Sequence, residues 1–132
     1  AVCPSNSIQI NGHCYYLNYK TGSWNEARKE CRYRGGDLAV PNSSEINDQI
    51  FQLIKVLGDR TAWIGVHRDE NKKFITTSGV SVSYKNWDTG EPNNYRGKEE
   101  DCVEMYAISD KAGKWNDELC SYNRRYVCEL AV

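Results

Sequence analysis

The chain has 132 residues, with 18 acidic and 17 basic side chains, so its formal net charge at pH 7 is −1. This near neutrality excludes a bulk field that would attract nucleic acid or an anionic membrane surface. No apolar run approaches the roughly 20 residues that a membrane helix needs, so no membrane insertion is expected. The length suits one domain with a buried core, and a single domain over residues 1–132 is predicted.

Six cysteines, an even and dense set, are typical of a disulfide-bonded protein from an oxidising compartment. Residues 1–3 show no charged or apolar leader, and we interpret the chain as a secreted or extracellular protein whose signal peptide has been removed. Zinc binding is the alternative use of the cysteines, but no Cys-x-x-Cys spacing occurs and His13 is far from His67. Many cysteine pairings are possible, and the residues alone do not choose among them.

Local signals define the first half of the chain. Residues 8–19 indicate strands, with Asn11-Gly12 as a hairpin turn between them. A first helix is predicted to begin after Ser23, because Glu26 follows three residues later and completes a capping box. Gly35-Gly36 is expected to end this helix.

A second helix is predicted from Ser43 or Ser44, with an apolar stripe over residues 46–57 and with Gly58 at its end. Residues 62–66 indicate a buried strand. The stripe is predicted to face the core. Three tryptophans are also interpreted as core residues: Trp24, Trp63 and Trp87.

From residue 69 to residue 101 the chain is polar, rich in Asn, Gly and Lys, and without clear periodicity. A loop of this length within a compact domain usually has a function. Residues 102–108 and 125–130 indicate strands that complete the fold. His67, just before the loop, is interpreted as a solvated histidine, with a pH-sensing role as the alternative.

Side-chain oxygens are concentrated in two segments, residues 91–101 and 115–118. Calcium takes about six to eight oxygen ligands at about 2.3–2.6 Å, from carboxylate and amide groups. Cys102 and Cys120 flank these segments, and a disulfide between them would hold the oxygens side by side. A solvated acidic loop is the alternative interpretation of residues 99–101 taken alone.

Several motifs occur together with the six cysteines: Trp63-Ile64-Gly65-Val66, Glu91-Pro92-Asn93 and Trp115-Asn116-Asp117. In this order and spacing they resemble the carbohydrate-recognition domains of C-type lectins, over essentially the whole chain. The resemblance implies an α+β fold with two helices, two small antiparallel sheets and a long calcium-binding loop region. It also implies three disulfides, the first of which is the extra N-terminal bridge of the family's long form: Cys3–Cys14, Cys31–Cys128 and Cys102–Cys120.

The resemblance implies one principal calcium ion (Ca2+) held by five residues: Glu91, Asn93, Glu100, Asn116 and Asp117. The Glu91–Pro92 peptide is expected to be cis, as in such domains. In this family two vicinal sugar hydroxyls complete the calcium shell and hydrogen-bond to the same residues. The order acid-Pro-amide resembles mannose, glucosamine and fucose binders, whereas galactose binders carry Gln-Pro-Asp. We therefore expect equatorial 3,4-diols, in mannose or fucose, to be the ligands.

The segment from Gly90 to Cys120 is especially similar to the selectins. This similarity implies that Asn94, Tyr106 and Glu118 also contact the sugar. Ser109 stands where a basic residue that meets sialic acid is expected. Fucose is therefore a more plausible ligand than a complete sialylated epitope.

Mannose-binding members of the family often hold an auxiliary calcium ion. Arg68 stands where one of its Asp ligands is usual, and Asn94 replaces another frequent carboxylate. Glu100 and Asp101 remain, but alone they make a poor site. We expect the auxiliary site to be absent or weak.

The predicted function is calcium-dependent binding of glycans or glycoproteins that carry mannose or fucose. The alternative is a protein-binding module on the same fold, although such relatives usually lose calcium ligands. No enzyme is expected, because no activated Ser or Cys nucleophile is recognisable and calcium would occupy the carboxylates. One site binds a monosaccharide only at about millimolar concentration, so we hypothesise a homodimer or higher oligomer.

Overall fold

The computed structural model describes residues 3, 7–93 and 100–131. Two helices and eight strands follow one another in this part of the chain: β1 (Ser7–Ile10), β2 (His13–Gly22), α1 (Trp24–Tyr33), β3 (Asp37–Leu38), α2 (Ser44–Ile54), β4 (Thr61–Arg68), β5 (Phe74–Thr76), β6 (Cys102–Tyr106), β7 (Trp115–Glu118) and β8 (Arg124–Ala131). The order confirms the predicted α+β class.

The strands lie in the order β1-β2-β8-β4-β6-β7, with β3 beside β8 and β5 beside β4. Most neighbours are antiparallel, but β4 and β8 pair in parallel, with Ala62 opposite Arg125 and Trp63 opposite Tyr126. The two antiparallel groups expected from the sequence are therefore joined into one mixed sheet. Because this junction pairs residues more than sixty positions apart, local patterns could not reveal it.

Helix α1 begins as predicted: the Ser23 side chain accepts a hydrogen bond from Glu26 N, and Glu26 returns one to Ser23 N. The helix buries Trp24, Ala27 and Cys31 against the sheet. Gly35 follows the helix with φ of +97°, a conformation that side chains with a Cβ rarely adopt. The predicted end of the helix is thus confirmed.

Helix α2 is capped by the Ser43 side chain, which accepts a hydrogen bond from Ile46 N. Its apolar stripe is buried as predicted, and a short 3₁₀ turn, Lys55–Leu57, precedes Gly58. Asn47 is also fully buried on this face. Its Oδ1 accepts a hydrogen bond from Trp115 Nε1 at 2.8 Å, and its Nδ2 donates to Gly113 O at 3.1 Å. The helix therefore holds the start of β7 in place.

Replacing Asn47 with alanine is expected to lower the free energy of unfolding by about 2 kcal/mol, because the buried Trp115 indole N–H loses its acceptor. The melting temperature should fall by roughly 5–10 °C. Asp48 is exposed on the same helix, so Asp48→Ala is the matched control and should change the melting temperature little. Equal melting temperatures for both variants would contradict this role of Asn47.

The core contains the predicted tryptophans. Trp24 and Trp63 are buried, and their indole N–H groups donate to Ile64 O and Gly22 O. Trp87 is partly buried and lies against Phe74 and Trp115.

The interpretation of His67 as a solvated histidine was wrong. It lies on β4, half-buried, with its ring centroid 4.6 Å from that of Trp24. Burial, together with the charge of Arg28, lowers the pKa of His67. The histidine is part of the packing around α1.

Three strands were missing from the sequence-based expectation. Strand β3 follows the first helix, β5 lies within the long polar region, and β7 is formed by the Trp-Asn-Asp motif itself. Each is two to four residues long, too short to produce a recognisable period. Strand β7 forms because β6 provides a partner for each of its residues.

All six cysteines pair as the family resemblance implies. The Cα–Cα distances are 5.6 Å for Cys3–Cys14, 5.4 Å for Cys31–Cys128 and 5.1 Å for Cys102–Cys120, each within the usual range. The second bridge joins α1 to β8, and the third joins β6 to the residues after β7. The third bridge therefore borders the predicted calcium site.

Candidate calcium and sugar site

Strands β6 and β7 bring the two oxygen-rich segments together. In their antiparallel register Cys102 lies opposite Glu118, Val103 opposite Asp117, and Glu104 opposite Asn116. Glu100 lies two residues before β6, so this pairing places it near the end of the Trp-Asn-Asp strand. The Cys102–Cys120 disulfide closes the same end of the strand pair.

The Glu-Pro-Asn motif lies against β7. Asp88 N donates to Trp115 O at 2.9 Å, and Glu91 N donates to Asp88 O at 3.0 Å. The Glu91–Pro92 peptide is cis, as expected. Asn93 N then donates to Asp117 Oδ1 at 3.1 Å, so the motif is anchored directly on a predicted calcium ligand.

Carboxylates accumulate here in an environment with little water. Asp117 is 0% exposed and Glu100 6% exposed. Glu91 Oε1 is buried without a hydrogen-bond partner among the described residues. The pKa of Glu91 is raised to about 7, first by desolvation and then by the adjacent Asp117 carboxyl group and the charge of Glu100. A divalent cation would supply the missing partner and positive charge, so these donors fit calcium.

Arg68 also lies at this group. Its Nη2 is 3.2 Å from Asp117 Oδ2, with side chains 8% and 0% exposed, respectively. The guanidinium carbon is 4.5 Å from the Phe74 ring centroid, and Arg68 N donates to Asp101 O at 2.7 Å. The residue at the position usual for an auxiliary-site Asp is thus a buried cation that neutralises Asp117. The weakness of an auxiliary calcium site remains a prediction.

Next to Asp117 on β7, Asn116 lies opposite Glu104 of β6. Its Nδ2 donates to Glu104 Oε2 at 2.8 Å. Glu104 was not selected from the sequence as a functional residue. The signal that could have found it is an acid in the middle of the otherwise apolar strand β6, where an unpaired charge would be costly.

The other residues predicted to contact sugar are less closely connected to this group. Asn94 lies outside the described residues. Tyr106 ends β6, and Lys111 Nζ lies 4.4 Å from its ring centroid. Glu118 Oε1 accepts a hydrogen bond from Leu119 N at 3.0 Å. Their contact with a sugar remains a prediction.

The described structure does not show a closed metal cage. Within residues 3, 7–93 and 100–131, no three His, Cys, Asp or Glu side chains form a compact metal-binding group. Glu91, Asn93 and Asp117 are joined by direct contacts, including a 3.4 Å hydrogen bond from Asn93 Nδ2 to Glu91 Oε2. Glu100 acts on Glu91 through its charge. Asn116 is the neighbour of Asp117, with its amide bonded to Glu104.

Residues 20–130 match the family model of the Lectin C-type domain. This chain is a member of the C-type lectin domain family. The match includes both oxygen-rich segments and four of the six cysteines. It begins after Cys14, so the N-terminal disulfide lies outside the matched range.

Several proteins of this family are similar over nearly all of the chain. Human C-type lectin domain family 3 member A is 34% identical over 127 residues, which cover 94% of this chain and 62% of that protein. Human asialoglycoprotein receptor 2 is 34% identical, with 96% of this chain and 40% of that protein covered. The low affinity immunoglobulin epsilon Fc receptor of mouse is 37% identical, with coverages of 97% and 37%. The chain thus spans only part of these relatives.

Solved C-type lectin structures share the fold. The mouse scavenger receptor C-type lectin carbohydrate-recognition domain has a TM-score of 0.87 at 28% identity, with 98% of both chains covered. Human lithostathine has the same TM-score and identity, with 98% of this chain and 100% of its own covered. The cow CD23 carbohydrate-recognition domain, solved with a GlcNAc2Man3 oligosaccharide, has a TM-score of 0.82 at 33% identity, with coverages of 99% and 97%.

Family membership establishes the general properties of the chain. C-type lectin domains are non-enzymatic carbohydrate-binding and receptor domains that generally bind calcium, in agreement with the expectation of no catalytic activity. They are often extracellular, and some relatives are membrane receptors. In the described part of this chain, no helix is long and apolar enough to span a membrane.

Proposed function

We propose that this domain binds glycans of the mannose or fucose type through one principal calcium ion. Its ligands would be the five predicted residues: Glu91, Asn93, Glu100, Asn116 and Asp117. The observation that carries the proposal is the group formed by Glu91, Asn93 and Asp117, in which a buried carboxylate oxygen lacks a partner. A cation that accepts oxygen ligands is the species that such a group favours.

Bound calcium would supply a Lewis-acidic centre with room for two neighbouring hydroxyl oxygens of a sugar. The protein supplies the hydrogen bonds that select the sugar. Amide NH₂ groups donate, and carboxylate oxygens accept. Glu91 and Asn93 place one acceptor and one donor on the same cis-linked turn. Charge-assisted hydrogen bonds of this kind are about twice as strong as neutral ones.

The order of acid and amide determines which diol fits. In Glu-Pro-Asn the acceptor precedes the donor, and family resemblance associates this order with equatorial 3,4-hydroxyls. Mannose and fucose would therefore bind ahead of galactose. Asn94, Tyr106 and Glu118 would extend the contact to the rest of a fucosylated ligand.

We expect the domain to bind one calcium ion with low affinity. Three carboxylates, Glu91, Glu100 and Asp117, face one divalent ion, and family domains with such sites work at extracellular calcium concentrations. We propose one calcium per chain with a dissociation constant of about 10⁻⁴–10⁻³ M. Arg68 already neutralises Asp117 on the side where an auxiliary ion would lie, which supports an absent or weak second site.

Weak monosaccharide binding needs several sites for useful avidity. We propose that residues 1–132 act as one secreted or extracellular lectin domain. It would be presented in a homodimer, a higher oligomer or a longer chain. Glycoproteins with several mannose or fucose ends would then be its partners.

The second candidate is a protein-binding module. It is favoured by the similarity to the mouse low affinity immunoglobulin epsilon Fc receptor, whose name describes a protein ligand. The retained set of calcium-ligand residues supports the sugar-binding proposal instead. Calcium-independent capture of a protein, without any glycan binding, would favour this second candidate.

The decisive experiment is retention on immobilised mannose and fucose in calcium, followed by elution with EDTA. Immobilised galactose is the matched control. We expect retention on the first two, release by EDTA, and one calcium per chain by calorimetry. Flow-through on all three columns in calcium would contradict sugar binding at this site. A glycan array run with and without calcium would then identify the ligand.

A further inference from the structure

One buried acid connects the candidate calcium site to the rest of the sheet. The Glu104 side chain is 4% exposed and accepts three hydrogen bonds from three neighbouring strands or their loops. Oε1 accepts from Thr61 Oγ1 at 2.7 Å and from Arg124 Nε at 3.0 Å, and Oε2 accepts from Asn116 Nδ2 at 2.8 Å. The two oxygens therefore have different partners.

We infer that Glu104 is a positioning residue of the calcium site, which acts through Asn116. This inference rests on the proposed function, because it assigns Asn116 Oδ1 to calcium. An amide side chain has a donor end and an acceptor end, and rotation by about 180° exchanges them. The hydrogen bond to Glu104 Oε2 requires the NH₂ end. Oδ1 is thereby left as the other arm of the amide, available to the metal.

The partners of Oε1 determine this orientation. Arg124 Nε can only donate, so the atom opposite it must be an acceptor. An ionised carboxylate offers acceptors at both positions, one for Arg124 and Thr61 and one for Asn116. The hydrogen bonds from Arg124 on β8 and from Asn116 on β7 thus meet at one carboxylate, which accepts both and so fixes which end of the Asn116 amide faces Glu104.

The same bond affects the proposed sugar contact. An NH₂ group has two hydrogens, and Glu104 uses one of them. The second remains for a sugar hydroxyl. Because the first is bonded to a carboxylate, the amide is held in one orientation before calcium or sugar arrives, which reduces the entropy lost on binding.

The test exchanges the hydrogen-bond donor and acceptor between residues 104 and 116. In Glu104→Gln, the oxygen should stay with Arg124 and Thr61, so the new NH₂ group faces Asn116. Asn116 must then rotate and present Oδ1 to Gln, which turns its NH₂ group toward the metal. We expect calcium affinity to fall at least about tenfold.

Asn116→Asp in the wild-type background places two carboxylates face to face and should also weaken calcium binding. In the double variant Glu104→Gln with Asn116→Asp, the Gln NH₂ group donates to one Asp oxygen and the other oxygen is free for calcium. Affinity should return to within about threefold of wild type. Asp59 is exposed and lines the same cavity of about 390 Å³ as Glu104, so Asp59→Asn is the charge-matched control and should leave calcium affinity unchanged.

Calcium affinity is measured by calorimetry for all five proteins, and melting in EDTA checks that each is folded. Two outcomes would overturn the inference: unchanged calcium affinity in Glu104→Gln, or a double variant that binds calcium more weakly than both single variants. In either case calcium binding by the wild type would still uphold the proposed function. Absence of calcium binding by the wild type would remove both. If Glu104→Gln does not fold, the Asn116 side-chain NH₂ signals of calcium-free wild type decide by NMR. One NH₂ proton shifted downfield and protected from exchange with solvent supports the bond to Glu104, and two protons at free-amide shifts with fast solvent exchange overturn it.

Discussion

Replacing Arg68 with glutamine is expected to destabilise the calcium-free protein and at the same time tighten calcium binding. Without Arg68, the fully buried Asp117 side chain loses the guanidinium 3.2 Å away. Breaking a buried ion pair in this way costs about 3 kcal/mol, or roughly 10 °C in melting temperature. In EDTA the variant should therefore unfold at a clearly lower temperature than the wild type.

Calcium should reverse this loss. In the variant, bound calcium would neutralise Asp117 in place of Arg68. The ion would also no longer be repelled by the positive charge of the Arg68 guanidinium. Repulsion between nearby charges in a partly solvated site amounts to about 1 kcal/mol or more, so calcium affinity should rise about tenfold. The measurement is calcium titration by calorimetry, with melting curves in EDTA and in saturating calcium.

Asp117→Asn is the matched variant, because it breaks the same ion pair from the other side. It should lose similar stability in EDTA, but its calcium affinity should fall about 100-fold, since a charged ligand is removed. Arg32→Gln, at an ion pair whose Arg side chain is 58% exposed, controls for the loss of a cation and should be nearly neutral. Weaker calcium binding by Arg68→Gln would show that Arg68 supports the ligand set rather than competing with calcium.

Exchanging the acid and the amide of the Glu-Pro-Asn motif should change which sugar binds. The double variant Glu91→Gln with Asn93→Asp keeps one carboxylate and one amide, so calcium affinity should stay within a few-fold. The 3.4 Å hydrogen bond between the two side chains can form in the other direction, from the new Gln amide to the new Asp carboxylate. The hydrogen bond from the backbone N–H of residue 93 to Asp117 does not depend on the side chain. The donor and acceptor offered to the diol exchange places.

Each mismatched charge-assisted hydrogen bond costs about 1.5–3 kcal/mol, so mannose affinity should fall at least about tenfold. Galactose, whose 3,4-diol has the other geometry, should gain. Competition of both sugars against an immobilised glycan provides the measurement. Glu91→Gln alone is the control, because it removes a charge and should weaken calcium itself. Retained mannose preference in the double variant would place the selection elsewhere in the site.

Sequence patterns predicted the elements that depend on neighbouring residues. The hairpin at Asn11-Gly12 is present, with positive φ at both residues, and the Ser23–Glu26 capping box is complete. These features form within three or four positions of each other, so composition is sufficient to define them. The disulfides were predicted only with the help of family resemblance, because spacing alone left several pairings open.

Part of the site could be predicted in the same way. The oxygen-bearing residues of Glu91-Pro92-Asn93 and Trp115-Asn116-Asp117 are evident in the sequence, and the structure places the first motif against Asp117. The partners of these residues were not evident. Asn47 is 68 positions from Trp115, and Arg68 is 49 positions from Asp117.

By itself, the sequence determined which oxygen-bearing side chains are available for the proposed calcium ion, and the local turns, caps and helices near them. The tertiary structure decided which charge each donor faces. Arg68 reaches Asp117 because β4 runs beside the end of β6, and Glu104 reaches Asn116 because β6 and β7 pair in one register. Coulombic and hydrogen-bond energies depend on distances across the fold, not on separation along the chain, and only packing sets those distances.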